Sequence, residues 1–210
     1  MHRPPLAALV LALAFLALPL SATGAEPPPR FLAHPPDHPI HHHINRITIT
    51  PDSLDTGWAD LYQCHENMDA LGATQIVFGK GRIRNLEVVA TKNIARARVE
   101  GARVLLDGVK KGAMVCIRAQ SRALSRDGSG RWVLRNGPFL RRFLDSYFPM
   151  HVTLEVRFPP GRLSFLSMRP HPRPGLTVQR ARGRVTVEAW FDGVLRTRLR
   201  FRAPDTDSSS

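Results

Sequence analysis

The chain has 210 residues, is 43% hydrophobic and carries 30 Lys and Arg against 17 Asp and Glu, a formal net charge of +13. That length suits one domain, and that apolar share excludes a chain too polar to build a core. Two cysteines exclude a disulfide-dense scaffold or a cysteine-rich metal cluster.

Residues 1–25 read as a signal peptide. His2 and Arg3 precede an apolar run from Leu6 to Leu18, Pro19 breaks it, and the small residues of Ser21-Ala-Thr-Gly-Ala25 place a cleavage site near Ala25. The run is too short to span a bilayer comfortably, and nothing beyond it approaches the length of a transmembrane helix. The expectation is a periplasmic or secreted protein with no membrane span in its mature chain.

Residues 26–43 combine Pro27, Pro28, Pro29, Pro35, Pro36 and Pro39 with His34, His38, His41, His42 and His43. Proline at this density opposes helix and sheet ladders, so the segment reads as a flexible, solvated tether. Its imidazoles suit Cu, Zn or Ni. His41 and His43 would point the same way on an extended chain, with His34, His38 and Asp37 folding back to complete a loosely held, exchangeable set. No other cofactor is implied.

From residue 44 to 202 the dominant signal is period two, the mark of half-buried strands. Strands are expected at 44–50, 58–65, 74–79, 82–90, 99–106, 113–120, 131–135, 150–158, 162–168 and 176–181. Gly79-Lys-Gly81, Asp107-Gly108, Lys111-Gly112, Asp127-Gly-Ser-Gly130 and Pro159-Pro-Gly161 punctuate them as turns. Val185, Val187, Ala189 and Phe191, then Asp192-Gly193, then Leu195, Thr197, Leu199 and Phe201 read as a closing hairpin over about 183–202. One segment breaks the rhythm. Between Pro138 and Pro149, the residues Phe139, Leu140, Phe143, Leu144, Tyr147 and Phe148 share one half of a helical wheel, which predicts a short amphipathic helix near 138–148. The fold class is therefore all-β, a mainly antiparallel sandwich or partly open barrel with one short helix. Residues 44–202 form a single domain, followed by a polar, disordered tail at 203–210.

Cys64 and Cys116 in an oxidising compartment read as one disulfide. Around the first, Tyr62-Gln-Cys-His-Glu-Asn-Met-Asp69 gathers His65, Glu66 and Met68, yet neighbours on a strand point to opposite faces, so a structural strand end is the better reading. No G-x-S-x-G, H-E-x-x-H, phosphate loop or dinucleotide fingerprint occurs, and no catalytic residue is assigned. Only four of the cationic residues are Lys (80, 92, 110 and 111). Arginine favours planar anions, and Arg196, Arg198, Arg200 and Arg202 line up on one face of the last strand. The sequence thus points to a non-enzymatic binding module for an anionic lipid, glycan or acidic protein of the cell envelope. Metal handling through the histidines is the alternative, and an enzyme whose residues converge only in space comes third. Nucleic acid is disfavoured by the compartment.

Overall fold

A computed structural model of the chain describes residues 26–203. The signal-peptide reading of 1–25 and the tail beyond Ala203 lie outside the described residues. The elements in chain order are β1 (Arg30–Phe31), β2 (His42–Thr48), the single-turn α1 (Ser53–Thr56), β3 (Ala59–Met68), β4 (Leu71–Val77), β5 (Ile83–Glu100), β6 (Arg103–Ser121), β7 (Leu124–Arg126), β8 (Trp132–Phe139), β9 (Arg142–Phe143), β10 (Ser146–Tyr147), β11 (Met150–Arg157), β12 (Ser164–Arg169), β13 (Leu176–Ala181), β14 (Arg184–Asp192) and β15 (Leu195–Arg202).

These strands form a nine-stranded sheet ordered β1-β14-β11-β2-β3-β6-β4, with β13 added beside β14 and β5 beside β6. A four-stranded sheet, β12-β15-β8-β7, packs against it, and β9 with β10 makes a small separate ribbon. Pairing is antiparallel apart from β11 beside β2, which is parallel. Leu154, Val156, Val185, Val187 and Ile47 from the large sheet share one core with Leu134, Phe139, Leu199 and Phe201 from the small one. Alternation explains the packing: on β11 and β15 every second residue is buried, so each strand gives one dry face to the core. The all-β sandwich expected from the pattern is what the chain forms. The Cys64–Cys116 disulfide is present and joins residues directly opposite each other on β3 and β6.

Four expectations are corrected. The segment 138–148 is not helical: β8 runs on through Pro138 to Phe139, which pairs with Leu195, and residues 142–147 turn back as the β9–β10 ribbon. A helix of about three turns is marginal alone, and an open edge on β15 offers this stretch a partner that the wheel pattern cannot reveal. Phe139 enters the core, whereas Phe143 and Leu144 remain 55% and 79% exposed. The closing hairpin is also absent. β14 lies in the large sheet and β15 in the small one, because β11 and β13 already occupy both edges of β14. Two strands with the same dry face can pair side by side or face each other across a core, and alternation alone does not distinguish these. At Gly193 (φ 87°), the chain turns the corner between sheets, and a Cβ there would meet the Pro28 carbonyl oxygen at 2.7 Å.

The Pro/His-rich segment is docked rather than free. Phe31 pairs with Phe191, Leu32 N–H donates to the Trp190 carbonyl at 2.8 Å, and Arg30 is ion-paired with Asp192. Proline is tolerated here because an edge strand leaves one side of its backbone without a ladder. Finally, Asp107-Gly108 and Lys111-Gly112 do not end strands. They lie within β6, which forms with β5 one long hairpin whose register shifts at three places. Gly108 (φ 62°) takes a left-handed backbone in mid-strand, where a Cβ would strike that of Ala95 at 2.7 Å.

Candidate functional site: an arginine cleft joined to a histidine-lined cavity

At one end of the sandwich, the dry faces of β2 and β3 change from apolar to polar. Ile47 and Ile49 give way to Asn45 and His43, and Ala59 and Leu61 give way to Gln63 and His65. The antiparallel register sets His43 opposite His65 and Asn45 opposite Gln63, so all four side chains enter the same interior space, joined by His41 from just before β2. The rings of His43 and His65 lie 4.2 Å apart by centroid, and those of His41 and His65 lie 5.1 Å apart.

Burial keeps these imidazoles neutral. His41 is pulled down to about 4, by burial first and then by the Arg141 charge. His43 falls to about 3, again by burial first and then by His41. His65 is held well below the usual histidine range by burial, with His43 and His41 adding to it. Neutrality gives the hydrogen bonds a direction. Gln63 Nε2 donates to His65 Nε2 at 2.7 Å, so His65 donates from Nδ1 to His41 Nε2 at 2.9 Å. His43 Nε2 donates to Asn45 Oδ1 at 2.8 Å, and Asn45 Nδ2 donates to Asn136 Oδ1 at 3.2 Å. Asn136 Oδ1 also accepts the Gly137 N–H, and Asn136 Nδ2 is shut from solvent with no acceptor among the described residues.

These groups line a cavity of about 940 Å³, whose remaining wall is mainly apolar and includes Met68, Ile76, Phe78, Phe139, Phe148 and Met150. Its charged lining is matched internally. Arg141 donates to both Asp69 oxygens at 2.9 and 2.6 Å, tying the base of the β9–β10 ribbon to the β3–β4 turn, and Arg142 pairs with Asp145 at 3.1 Å.

A second space of about 660 Å³ adjoins it, sharing Asn45, Gln63, Phe78, Asn136 and Pro138 as walls. Among the described residues, its lining contains six arginines (82, 122, 135, 169, 196 and 198) and no carboxylate. Arg169, Arg198 and Arg135 form a rung across β12, β15 and β8, each directly opposite the next. Like charges so placed repel. Among the described residues, none of the three has an ion-pair partner, although Arg135 donates to Ser125 Oγ at 2.5 Å. Arg196 is paired with Glu26 at 2.6 Å.

The expected arginine row therefore divides. Arg196 and Arg198 line the cleft, while Arg200 lies beyond it, 4.0 Å from Asp127, and Arg202 ends the strand. The five histidines proposed as metal ligands do not converge. His34 and His38 are exposed, His41 and His43 face the cavity, and His42 projects from the opposite face of β2. There His42 stacks on His151, which stacks on Trp190, each at 3.8 Å. Thr153 accepts from His42 and donates to Glu188, which also accepts from His151 at 2.6 Å, so the network closes on itself. Among the described residues, no group of three His, Cys, Asp or Glu could hold a metal ion. No described helix is long and apolar enough to cross a membrane.

No protein-family model and no curated protein matches the chain. Among solved structures it is similar to an M1 zinc metallopeptidase mutant from Deinococcus radiodurans, at 14% identity and a TM-score of 0.39, over 75% of this chain and 41% of that one. A two-domain M1 zinc metallopeptidase mutant bound to L-tryptophan is similar at 15% identity and a TM-score of 0.38, over 75% of this chain and 42% of that one. The chain spans less than half the length of these enzymes, and so loose an overlap transfers neither fold nor activity.

His65 is expected from the sequence in a structural strand end, and no motif there singles out Asn45, Gln63, Asn136, Arg82, Arg122, Arg135 or Arg169. A signal for the first two existed: two neighbouring strands each put polar residues where their own alternation called for apolar ones. The arginines carried none, because β12, β15 and β8 are brought together only by the sheet register.

Proposed function

We propose that this chain is an exported, non-enzymatic binding protein whose arginine-rich small-sheet face takes an anionic partner of the cell envelope. The observation that carries the reading is the Arg169–Arg198–Arg135 rung. Three guanidiniums on adjacent strands share the outer face of the small sheet, because the neighbouring Leu134, Met168 and Leu199 face the core; with no ion-pair partner among the described residues they repel one another until an anion sits among them, and arginine offers such a ligand a planar pair of donors. The Cys64–Cys116 disulfide supports an oxidising compartment, in keeping with the signal-peptide reading. The cleft extends the candidate set beyond the last strand: Arg196 and Arg198 belong to it, with Arg82, Arg122, Arg135 and Arg169.

Co-sedimentation with vesicles tests the reading. Binding to vesicles rich in phosphatidylglycerol is expected to exceed binding to pure phosphatidylcholine and to fall as salt rises. At about 1 kcal/mol for each arginine near an anionic surface, the R135S/R169S/R198S variant is expected to bind on the order of a hundredfold more weakly. Equal binding to both vesicle types, or a triple variant that binds like the parent, overturns it.

A further inference from the structure

We infer that the histidine-lined cavity is a second and separate binding site, which takes a neutral lipophilic molecule whose hydroxyl or carbonyl oxygen meets the imidazoles. It does not depend on the anion reading. Arg135, Arg169 and Arg198 point away from this cavity, because their neighbours Leu134, Met168 and Leu199 face the core.

The charged side chains in the cavity wall are matched before any ligand arrives. Arg141 donates to both Asp69 oxygens, and Arg142 pairs with Asp145 while lying over the Tyr147 ring. A charged ligand would lose its hydration here without gaining a free partner. An apolar one has Met68, Ile76, Phe78, Phe139 and Met150 to pack against. The lining is apolar even where it meets water: Val77, Phe143 and Phe148 belong to it, yet they are 61%, 55% and 37% exposed. Large apolar side chains left wet around one opening are covered at a gain when a lipophilic molecule enters. The volume of about 940 Å³ is at the upper end of small-molecule sites.

The polar wall adds direction. Asn45, Gln63, His43 and His65 stand on strand faces that are elsewhere dry, and buried polar groups cost a core stability. Most of their hydrogen bonds close among themselves, but one end stays open. Gln63 donates to His65, and His65 donates from Nδ1 to His41 Nε2. Burial keeps His41 neutral, so its one proton lies on Nδ1. That N–H meets no acceptor among the described residues and is not sealed in protein, and His41 lines the cavity. An alcohol or carbonyl oxygen accepts it while the rest of the ligand lies against the apolar wall.

The test is calorimetry at two temperatures on the full chain, with hexanol, octanol and decanol alongside the carboxylate and the alkylammonium ion of each length. Affinity for the alcohols is expected to rise about fourfold per added methylene until the cavity is full. At equal length the alcohol should bind more tightly than either ion. H41F keeps a ring but removes the donor, and should weaken every alcohol by roughly twofold to tenfold while leaving the gain per methylene unchanged. T74W puts an indole into the cavity wall and should end the series at a shorter chain. Carboxylates or ammonium ions that bind more tightly than the alcohols overturn the neutral ligand. Alcohol binding that ignores H41F overturns the imidazole contact, and binding that ignores T74W lies outside the cavity. No heat with any alcohol at either temperature overturns the site. Because the length series and the comparison with ions use the unaltered protein, they decide the matter even if a variant fails to fold.

Discussion

Burial sets the charge of His41, His43 and His65, and that choice has a cost that depends on pH. In the unfolded chain each titrates near 6.5; in the fold His41 is lowered to about 4, His43 to about 3, and His65 well below its usual range. The folded state thus binds fewer protons than the unfolded state between those values. Stability from this source is complete above about pH 6.5 and is lost as pH falls towards 4, at about 1.4 kcal/mol per pH unit for each group. The melting temperature is expected to drop steadily from pH 7 to pH 4. Carboxylates also contribute to acid lability, so the decisive comparison is with H43Q, which starts from a lower baseline and should lose about one proton's worth of that slope. A slope identical to the parent's would show that His43 is not held neutral. A second prediction concerns Leu144, which sits at φ 52° and is 79% exposed at the tip of the β9–β10 ribbon. A left-handed backbone costs an ordinary L-residue roughly 1 kcal/mol, and asparagine tolerates it better. L144N should raise stability by about 0.5 kcal/mol or more in urea unfolding; a loss of stability would mean that the leucine makes contacts that outweigh the strain.

The element that holds the cavity in place is β3, which presents Gln63 and His65 to the interior while the intervening Cys64 reaches across to Cys116 on β6. The two cysteines are 52 residues apart, and closing a loop of that size restricts the unfolded chain by about 4 kcal/mol in the chain-entropy model. C64A/C116A, or reduction of the parent, is expected to lower the melting temperature by roughly 8–16 °C at this chain length. A shift of only a degree or two would mean that the β3–β6 ladder supplies most of this constraint. The same elements mark what the sequence could and could not reveal. Period-two runs identified β11, β14 and β15 closely, because a half-buried strand writes its buried face into every second residue. Pairing is not written there. The dry faces of β14 and β15 fit neighbouring positions in one sheet and facing positions in two equally well, so alternation alone cannot tell a final hairpin from the two-sheet arrangement that forms. The helix expected near 138–148 failed similarly: Phe139 and Phe143 share a helical face, yet the first is buried beside β15 and the second is exposed. Proline content alone identified residues 26–43 as a tether, while Phe31, Leu32 and Ile40 dock onto the sheet or into its interior.

For the whole molecule, the difficulty is that a chain with a net charge of +13 attracts any anionic surface. A cleft that recognises an anion must therefore be separated from a body that is merely basic. R135S/R169S/R198S and R96S/R103S/R184S provide that separation. Each removes three positive charges, taking the net from +13 to +10, but the second set lies outside the cleft lining, on β5, β6 and β14. Long-range attraction depends on total charge and is screened over about 10 Å at 0.1 M salt, whereas head-group contact depends on which arginines remain. At low salt both variants should lose association rate to a similar degree. Near 0.15 M salt the control set should bind anionic vesicles almost as the parent does, while the cleft set should bind far more weakly. Stability should shift differently again: removing the like-charged rung relieves cross-strand repulsion, so the cleft variant is expected to melt at or slightly above the parent temperature. Equal losses of vesicle binding in the two variants at 0.15 M salt would reduce the cleft to its share of a basic surface. Loss confined to the cleft variant, without loss of stability, would assign the rung to its ligand.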